Sequence, residues 1–133
     1  MIAVDTSALL AIVFDEPQAE ACIQILDQET ECVISAATVA EALIVADRRG
    51  VRAEVAFMID QLGFEVLDVT KQAAERVAQC YRRWGKGVHP AGLNLGDCFA
   101  YEAAQRRGCA LLFVGQDFDK TDIENALQRH AGS

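Results

Sequence analysis

The sequence has no hydrophobic run of the ~18 consecutive residues that a transmembrane helix needs. Its opening segment, MIAVDTSALLAIVF, is apolar, but it has no basic start and it contains Asp5, which argues against a signal peptide. We therefore expect a cytoplasmic protein with no membrane partner. The length of 133 residues suits one compact domain, and 52% of the residues are hydrophobic. We expect a single domain over residues 1–133 with a buried core.

The sequence also lacks the pattern of a thiolate metal site. Its five cysteines are widely scattered and form no CxxC pair, which argues against both a zinc site and a redox motif. The neighbours of these cysteines are mostly apolar. We therefore expect small buried thiols in a reducing compartment.

Motifs of several other enzyme classes are missing as well. No GxxxxGK[ST], GxGxxG, GxSxG or HExxH pattern occurs, so the common nucleotide-binding, serine-hydrolase and zinc-protease signatures are absent. Histidine is scarce, with only His89 and His130. Metal-free cleavage of a phosphodiester usually needs two positioned acid–base groups, often histidines. Two such scattered histidines argue against that chemistry.

Charge is distributed unevenly along the chain. The formal net charge is −8, yet residues 1–70 hold 13 acidic and 3 basic residues, whereas residues 71–133 hold 7 and 9. From Arg76 to Gly96 there are four basic residues and no acidic one. An acidic protein does not hold nucleic acid through its overall field, so any such contact would need this local patch. A solvated helix end followed by a loop explains the same pattern, and charge alone leaves both interpretations open.

Strand-like and helix-like segments alternate along the chain. Short apolar runs predict four strands, at Ile2–Val4, Cys32–Ile34, Phe64–Val69 and Ala110–Val114. Capping residues and glycine stops predict helices over Ala8–Phe14, Ala19–Leu26 (introduced by Asp15–Pro17), Ser35–Arg49, Val51–Leu62, Lys71–Trp84 and Leu95–Arg107, with one more turn near Ile123–Leu127. Short strands that are apolar on both faces and separated by helices indicate a covered parallel sheet. The predicted fold is α/β, a three-layer α/β/α sandwich around a short parallel sheet.

Four acidic residues lie where an acid is locally costly. Asp5 ends the first predicted strand, and Asp117 follows the fourth. Asp97 begins the helix that leads into the fourth strand, while Glu41 lies about two turns into the helix after the second. Ligand sites in open α/β sheets form beyond the carboxyl ends of the strands, so we expect these side chains at one edge. Converging carboxylates are typical of a site for Mg²⁺ or Mn²⁺, and such ions serve phosphoryl chemistry.

Each of these acids also has a purely structural interpretation. Asp97 could be a helix cap, and Asp5 could accept backbone N–H groups of the helix that follows it. Glu41 could point outward from its helix, and Asp117 could be an ordinary turn residue. No single acid decides between the two interpretations.

Four stretches of the sequence resemble PIN-domain ribonucleases of the VapC toxin type, and together they span almost the whole chain: MIAVDTSALLAIVFDEP, SAATVAEA, HPAGLNLGDCFAYEAA and LLFVGQDFDKTDI. The resemblance implies a PIN-like central parallel sheet and a Mg²⁺-dependent endoribonuclease, the toxin of a toxin–antitoxin pair. It also implies a cognate VapB-type antitoxin that blocks the active site. Homodimers are usual in the family, and the apolar faces of Ala19–Leu26 and Val51–Leu62 offer an interface.

The resemblance assigns roles to individual residues. Asp5, Glu41 and Asp97 match the family's three principal acids, which bind the metal and carry out catalysis. Ser7 matches a small hydroxyl residue that helps to hold the metal shell. Asn94, one turn before Asp97, is expected to contact the substrate or the outer part of that shell.

The chain departs from the family pattern at one position. Many members have an acid where this chain has Gly115. We expect Asp117 to take the fourth catalytic role, with a shifted geometry that leaves a second metal in doubt.

The basic segment supplies the expected contacts to the RNA backbone, namely Arg82, Arg83, Lys86 and the loop residue His89. Tyr81 and Trp84 could stack on bases, although packing is the simpler role for both. Two other classes of protein remain as alternatives. One is a PIN-like fold kept only as a regulatory or antitoxin-binding module, against which the intact acids argue. The other is a metal-dependent phosphatase, against which the charge distribution and the missing phosphate-cradling glycine loop argue.

Overall fold

The computed structural model of the chain describes residues 1–131, with side chains through Arg129, so the side chain of His130 lies outside the described part. Within it, a parallel sheet of four strands forms the centre: β1 (Ile2–Val4), β2 (Cys32–Ser35), β3 (Glu65–Leu67) and β4 (Ala110–Leu112), in the order β3-β2-β1-β4. The chain runs outward from β1 to β3 and then returns to the other side of β1. The carboxyl ends of β1 and β4 therefore flank the topological switch point of the sheet.

Helices cover both faces of the sheet. Because side chains alternate along a strand, Ile2 and Val4 face one layer and Ala3 faces the other. The first layer contains α1 (Thr6–Val13), α2 (Ala19–Gln28), α3 (Ala36–Arg49), α4 (Arg52–Leu62) and α7 (Ala126–Ala131). The second contains α5 (Lys71–Trp84) and α6 (Leu95–Arg107), which pack on each other and on the sheet. The predicted three-layer α/β/α fold is confirmed.

Two helix starts differ from the sequence prediction. Helix α1 begins at Thr6 rather than Ala8, because the side chain of Asp5 caps it. The prediction of an acidic start for α2 is wrong. Its N-cap is Gln18, which makes no side-chain capping bond, and Asp15 instead takes the left-handed conformation with φ 50° in the preceding turn.

Two strands are shorter than predicted, and the last helix starts later than the predicted turn. Strand β4 ends at Leu112, and β3 spans Glu65–Leu67 instead of Phe64–Val69. Because β3 is an edge strand that pairs on one side only, Glu65 and Val66 are exposed. The expectation of burial on both faces is therefore wrong for this strand.

The cysteines are free thiols, as expected. Cys22, Cys80 and Cys98 are buried, whereas Cys32 and Cys109 are partly buried. Among the described residues, no helix combines the length and the apolar character needed to cross a bilayer.

Candidate active site

Asp5 lies at the switch point of the sheet, where β1 ends and α1 begins. Its backbone N–H donates to Leu112 O at 3.0 Å and so extends the pairing of β1 with β4. Its carboxylate Oδ2 accepts hydrogen bonds from the Ser7 backbone N–H at 3.1 Å and from the Ser7 hydroxyl at 2.6 Å. Asp5 therefore does accept a backbone N–H of the helix that follows it. Both bonds end on Oδ2, so its other carboxylate oxygen receives neither of them.

The Ser7 hydroxyl joins Asp5 to the segment after β4. It donates to Asp5 and accepts a hydrogen bond from the backbone N–H of Val114 at 3.0 Å. Val114 precedes the loop that carries Asp117. Ser7 therefore orients the Asp5 carboxylate and at the same time holds the start of that loop.

Asp97 is the third residue of α6 and forms a capping box with Asn94. The Asp97 backbone N–H donates to Asn94 Oδ1 at 2.8 Å, and the Asn94 backbone N–H donates to Asp97 Oδ2 at 3.0 Å. Asp97 thus does act as a helix-capping residue. Its position at the positive end of the helix dipole favours the ionised carboxylate.

Glu41 points toward the other carboxylates rather than outward from α3. Its Oε1 accepts a hydrogen bond from the Thr6 hydroxyl at 2.8 Å. Its carboxylate also lies against Gly96, where an added Cβ would stand only 2.8 Å from Glu41 Cδ. Glu41 is therefore held between the first turn of α1 and the first turn of α6.

Thr6 and Gly96 were not identified from the sequence. Thr6 is 7% exposed. The segment DTS gives no sign that this threonine contacts a distant acid, because threonine is common at helix starts in any case. Gly96 carried a usable signal, because glycine inside a helix is ~1 kcal/mol less favourable than alanine. A glycine in the first turn of a helix beside an acid indicates a close approach by another group.

The four carboxylates are close enough to affect one another's ionisation. Burial raises the pKa of Asp5 to about 6, with a further rise from the charge of Glu41, while hydrogen bonds from Ser7 oppose the shift. Burial also raises the pKa of Asp97 to about 6, and the charges of Asp5, Asp117 and Glu41 add to that rise. Ionised carboxylates at this edge thus repel one another, and the protein alone compensates this repulsion only in part.

Asp117 differs from the other three acids because it is exposed and lies in a turn. The turn is anchored by Phe118, which is buried and packs on Phe113 with ring centroids 4.9 Å apart. Gly115 has φ +102°, a conformation that side-chain-bearing residues rarely adopt. An acid at position 115 would therefore require a different loop backbone.

The donor set fits a hard divalent cation. All four groups are carboxylates, which Mg²⁺ and Mn²⁺ prefer, and their mutual repulsion is the kind that a cation relieves. Within the part of the chain that the structure describes, no three Asp, Glu, His or Cys side chains are arranged to enclose one ion. Mg²⁺ usually keeps several waters when a protein binds it, so waters would complete the coordination of an ion held at this edge.

The four residues expected to contact the RNA backbone, Arg82, Arg83, Lys86 and His89, lie in two different environments. Arg82 and Lys86 line a groove next to Asn94. Arg83 instead lies over the Trp84 ring at 4.5 Å and pairs with Asp122 at 3.5 Å. His89 packs edge-on against Trp84, and its Nδ1 accepts a hydrogen bond from the Ala91 backbone N–H at 3.0 Å. Arg82 and Lys86 thus share a groove with Asn94, the residue that caps the helix of Asp97.

Comparisons with known proteins agree with this architecture. The model of the PIN domain family matches residues 2–124. Ribonuclease VapC42 of Mycobacterium tuberculosis is 41% identical over 128 residues, which cover 92% of this chain and 97% of the relative.

Solved structures resemble the fold at low sequence identity. The crystal structure of VapC20 from Mycobacterium tuberculosis, a sarcin–ricin loop cleaving toxin, superposes with a TM-score of 0.73 at 15% identity and covers 92% of this chain and 96% of its own. A toxin–antitoxin complex from Klebsiella pneumoniae gives a TM-score of 0.68 at 18% identity, with 92% and 93% covered. The family model and the identity to VapC42 together show that this chain belongs to the PIN-domain family, among the VapC ribonucleases.

Proposed function

We propose that this chain is an endoribonuclease that hydrolyses RNA phosphodiester bonds with a divalent cation, Mg²⁺ or Mn²⁺, held by Asp5, Asp97 and Glu41. Ribonucleases of this family depend on divalent metal ions. The observation that carries the proposal is the set of mutually repelling carboxylates at the switch point of the sheet, two of which have a pKa of about 6.

Neighbouring residues orient each of the three carboxylates. Ser7 holds one oxygen of Asp5 and Asn94 holds one oxygen of Asp97, so both carboxylates are oriented before any ligand arrives. Thr6 holds Glu41 in the space that Gly96 leaves open. Such preorganisation reduces the reorganisation needed during the reaction.

A cation bound here would supply two effects: it would lower the pKa of a bound water and neutralise charge on the attacked phosphate. Asp5, Asp97 and Glu41 would hold the cation that positions and deprotonates the attacking water. At neutral pH both Asp5 and Asp97 are mostly ionised, because a pKa of about 6 lies below 7. Asp117, exposed at the rim, acts on Asp97 through its charge.

A cleavage assay with structured RNA tests the proposal. Cleavage should require Mg²⁺ or Mn²⁺ and should stop in excess chelator. Asp5→Asn, purified in parallel, controls for contaminating nucleases because it should be inactive under every condition. The mechanism would be ruled out if wild-type protein cleaved RNA equally well in excess chelator while the Asp5→Asn preparation cleaved none. Hydrolysis of p-nitrophenyl phosphate without RNA cleavage would indicate a phosphatase instead.

We also propose that the protein acts in the cytoplasm as the toxin of a pair, together with a VapB-type antitoxin, and that it forms a homodimer. The identity to VapC relatives supports the antitoxin. Ile23 on α2 and Phe57 on α4, which are 43% and 65% exposed, are candidates for a protein interface. Expression alone should arrest growth, and co-expression with the neighbouring small open reading frame should relieve the arrest. Absence of toxicity together with absence of cleavage would favour a catalytically silent regulatory module.

A further inference from the structure

A groove lies between the end of α5 and the start of α6, directly beside the capping box of Asp97. Its volume is about 580 Å³, and its wall is formed by Ala78, Tyr81, Arg82, Lys86, Asn94 and Leu95. Because Asn94 belongs both to this wall and to the capping box, a ligand in the groove would lie next to Asp97.

The Tyr81 ring is held in place in this wall. Its hydroxyl donates to Lys86 O at 3.3 Å. A Cβ on Gly85 would stand 2.7 Å from Tyr81 Cδ1, so glycine is what allows the ring to lie against the backbone there. Tyr81 is nevertheless 37% exposed, and Leu95, which also lines the groove, is 60% exposed. A fixed aromatic ring and an exposed leucine provide surfaces on which a planar base can stack.

The two cations of the groove, Arg82 and Lys86, have no ion-pair partner in the part of the chain that the structure describes. In the same helix, Arg76 pairs with the buried Glu102 and Arg83 pairs with Asp122. In a chain with a net charge of −8, two uncompensated cations in one wall indicate an anionic ligand.

We infer that this groove binds a nucleotide next to the scissile phosphate of single-stranded RNA, with the base on Tyr81 and the flanking phosphates on Arg82 and Lys86. The inference rests on the proposed ribonuclease function. Cations that follow a backbone, combined with an aromatic ring for the bases, are the two components of single-strand binding sites. Asn94 lines the groove and forms the capping box with Asp97, so a strand bound there would pass beside Asp97.

Binding can be measured apart from cleavage in the Asp5→Asn background, whose substitution lies outside the groove. The probe is a fluorescein-labelled single-stranded RNA of about 12 nucleotides, followed by anisotropy at several salt concentrations. Arg82→Gln and Lys86→Gln should each weaken binding about fivefold. Each should also reduce the slope of log K against log salt by about 0.7, the value for one lost phosphate contact on a single strand. Tyr81→Ala should weaken binding about tenfold without changing the slope, and Tyr81→Phe should bind nearly as wild type.

Lys71→Gln is the matched control. It removes from the same helix one exposed cation that forms no ion pair with any described residue. Lys71 lies ~16 Å along the axis from Arg82 at 1.5 Å per residue. Its affinity and its salt slope should both be unchanged. In protein that retains Asp5, the variants Arg82→Gln, Lys86→Gln and Tyr81→Ala should raise KM for RNA cleavage. They should leave kcat within about twofold of wild type, because they act on binding.

The results separate failure of this inference from failure of the proposed function. If the protein cleaves RNA while Arg82→Gln and Lys86→Gln keep the parental affinity and slope, the groove does not bind RNA. That result would overturn the inference. If the unaltered protein neither binds nor cleaves RNA, the proposed function fails and the inference fails with it.

Discussion

Gly96 and Glu41 are in direct contact although they lie on different helices, and the contact leaves no space for a side chain on Gly96. An added Cβ would overlap the carboxylate of Glu41. The displaced atoms are the far end of a flexible side chain, so Glu41 can move away at little cost to the fold. The glycine thus determines where Glu41 points and has little influence on whether the protein folds.

Gly96→Ala should therefore separate activity from stability. We expect kcat to fall about 10- to 100-fold, the usual loss when a group that positions an active-site ligand is disturbed. The melting temperature should stay the same or rise slightly, because alanine is favoured over glycine in a helix. Activity assays and thermal unfolding of the same preparation test both parts.

The control is the double variant with Glu41→Ala. If Gly96→Ala acts only by displacing the carboxylate of Glu41, it should cause no further loss of activity once that carboxylate is absent. Additive losses in the double variant would show that Gly96 acts through the backbone of α6 instead.

The acids should differ in importance. Asp5→Asn and Asp97→Asn should each lower kcat/KM more than the ~100-fold typical of groups outside the first coordination sphere. Asp117→Asn should lower it about tenfold, because Asp117 is exposed and acts on Asp97 through its charge. Steady-state kinetics on one RNA substrate provide the comparison. Equal losses at all three positions would mean that the loop rearranges to bring Asp117 to the metal.

Metal-free protein should lose stability as the pH rises through the range in which Asp5 and Asp97 ionise. A carboxyl with a raised folded-state pKa stabilises the fold below its unfolded pKa, here 3.8, and this stabilisation is lost as the pH rises through about 6. Asp97→Asn removes one of the two groups and keeps a capping side chain. The variant should therefore be more stable than wild type at pH 7, by ~1 kcal/mol after allowance for solvent screening, and the difference should shrink toward pH 4.

Thermal melts in chelator from pH 4 to pH 7 measure this difference. Added Mg²⁺ should raise the melting temperature of wild type more than that of Asp97→Asn, since binding to the folded state stabilises it. If Asp97→Asn melts below wild type at pH 7 and Mg²⁺ raises both melting temperatures equally, then Asp97 serves only as a helix cap.

Two threonines form a matched pair for another test. The Thr38 hydroxyl is buried without a hydrogen-bond partner within the described part of the chain, whereas the Thr6 hydroxyl donates to Glu41. Thr38→Val should be neutral or stabilise by ~1 kcal/mol, because it removes an unsatisfied buried group. Thr6→Val should leave the melting temperature near that of wild type and lower kcat about tenfold. Destabilisation by Thr38→Val would mean that its hydroxyl has a partner, such as a bound water.

Local sequence signals predicted much of the fold. Helix α5 starts after Thr70 and ends before Gly85 as predicted, because the Thr70 side chain caps Ala73 N–H and the pattern between them is strongly amphipathic. Gly50 and Gly108 end α3 and α6 with positive φ, for the reason that makes glycine a common helix terminator. The extent of β3 could not be predicted, since it depends on how many residues the neighbouring strand pairs with.

The candidate site was predictable in its acids and less so in its supporting residues. Asp5 and Asp97 occupy strand ends and helix starts, and these positions follow from the order of elements alone. The contact of Thr6 with Glu41 spans 35 positions, and it depends on how two helices pack. The paired state of Arg83 depends in the same way on Asp122, which belongs to a segment that local patterns describe poorly.

The capping box of α6 bears on how this protein could evolve. An asparagine at position 97 would keep an oxygen to accept the N–H of Asn94 and leave the reciprocal bond unchanged. Aspartate and asparagine codons differ by one nucleotide, so a single base change would remove the charge and keep the start of the helix. With the catalytic role proposed for Asp97, a lineage could in this way lose the ribonuclease activity while keeping the fold and the proposed antitoxin-binding surface. Loss of the charge at position 97 would therefore inactivate the site without the cost in folding that most active-site losses carry.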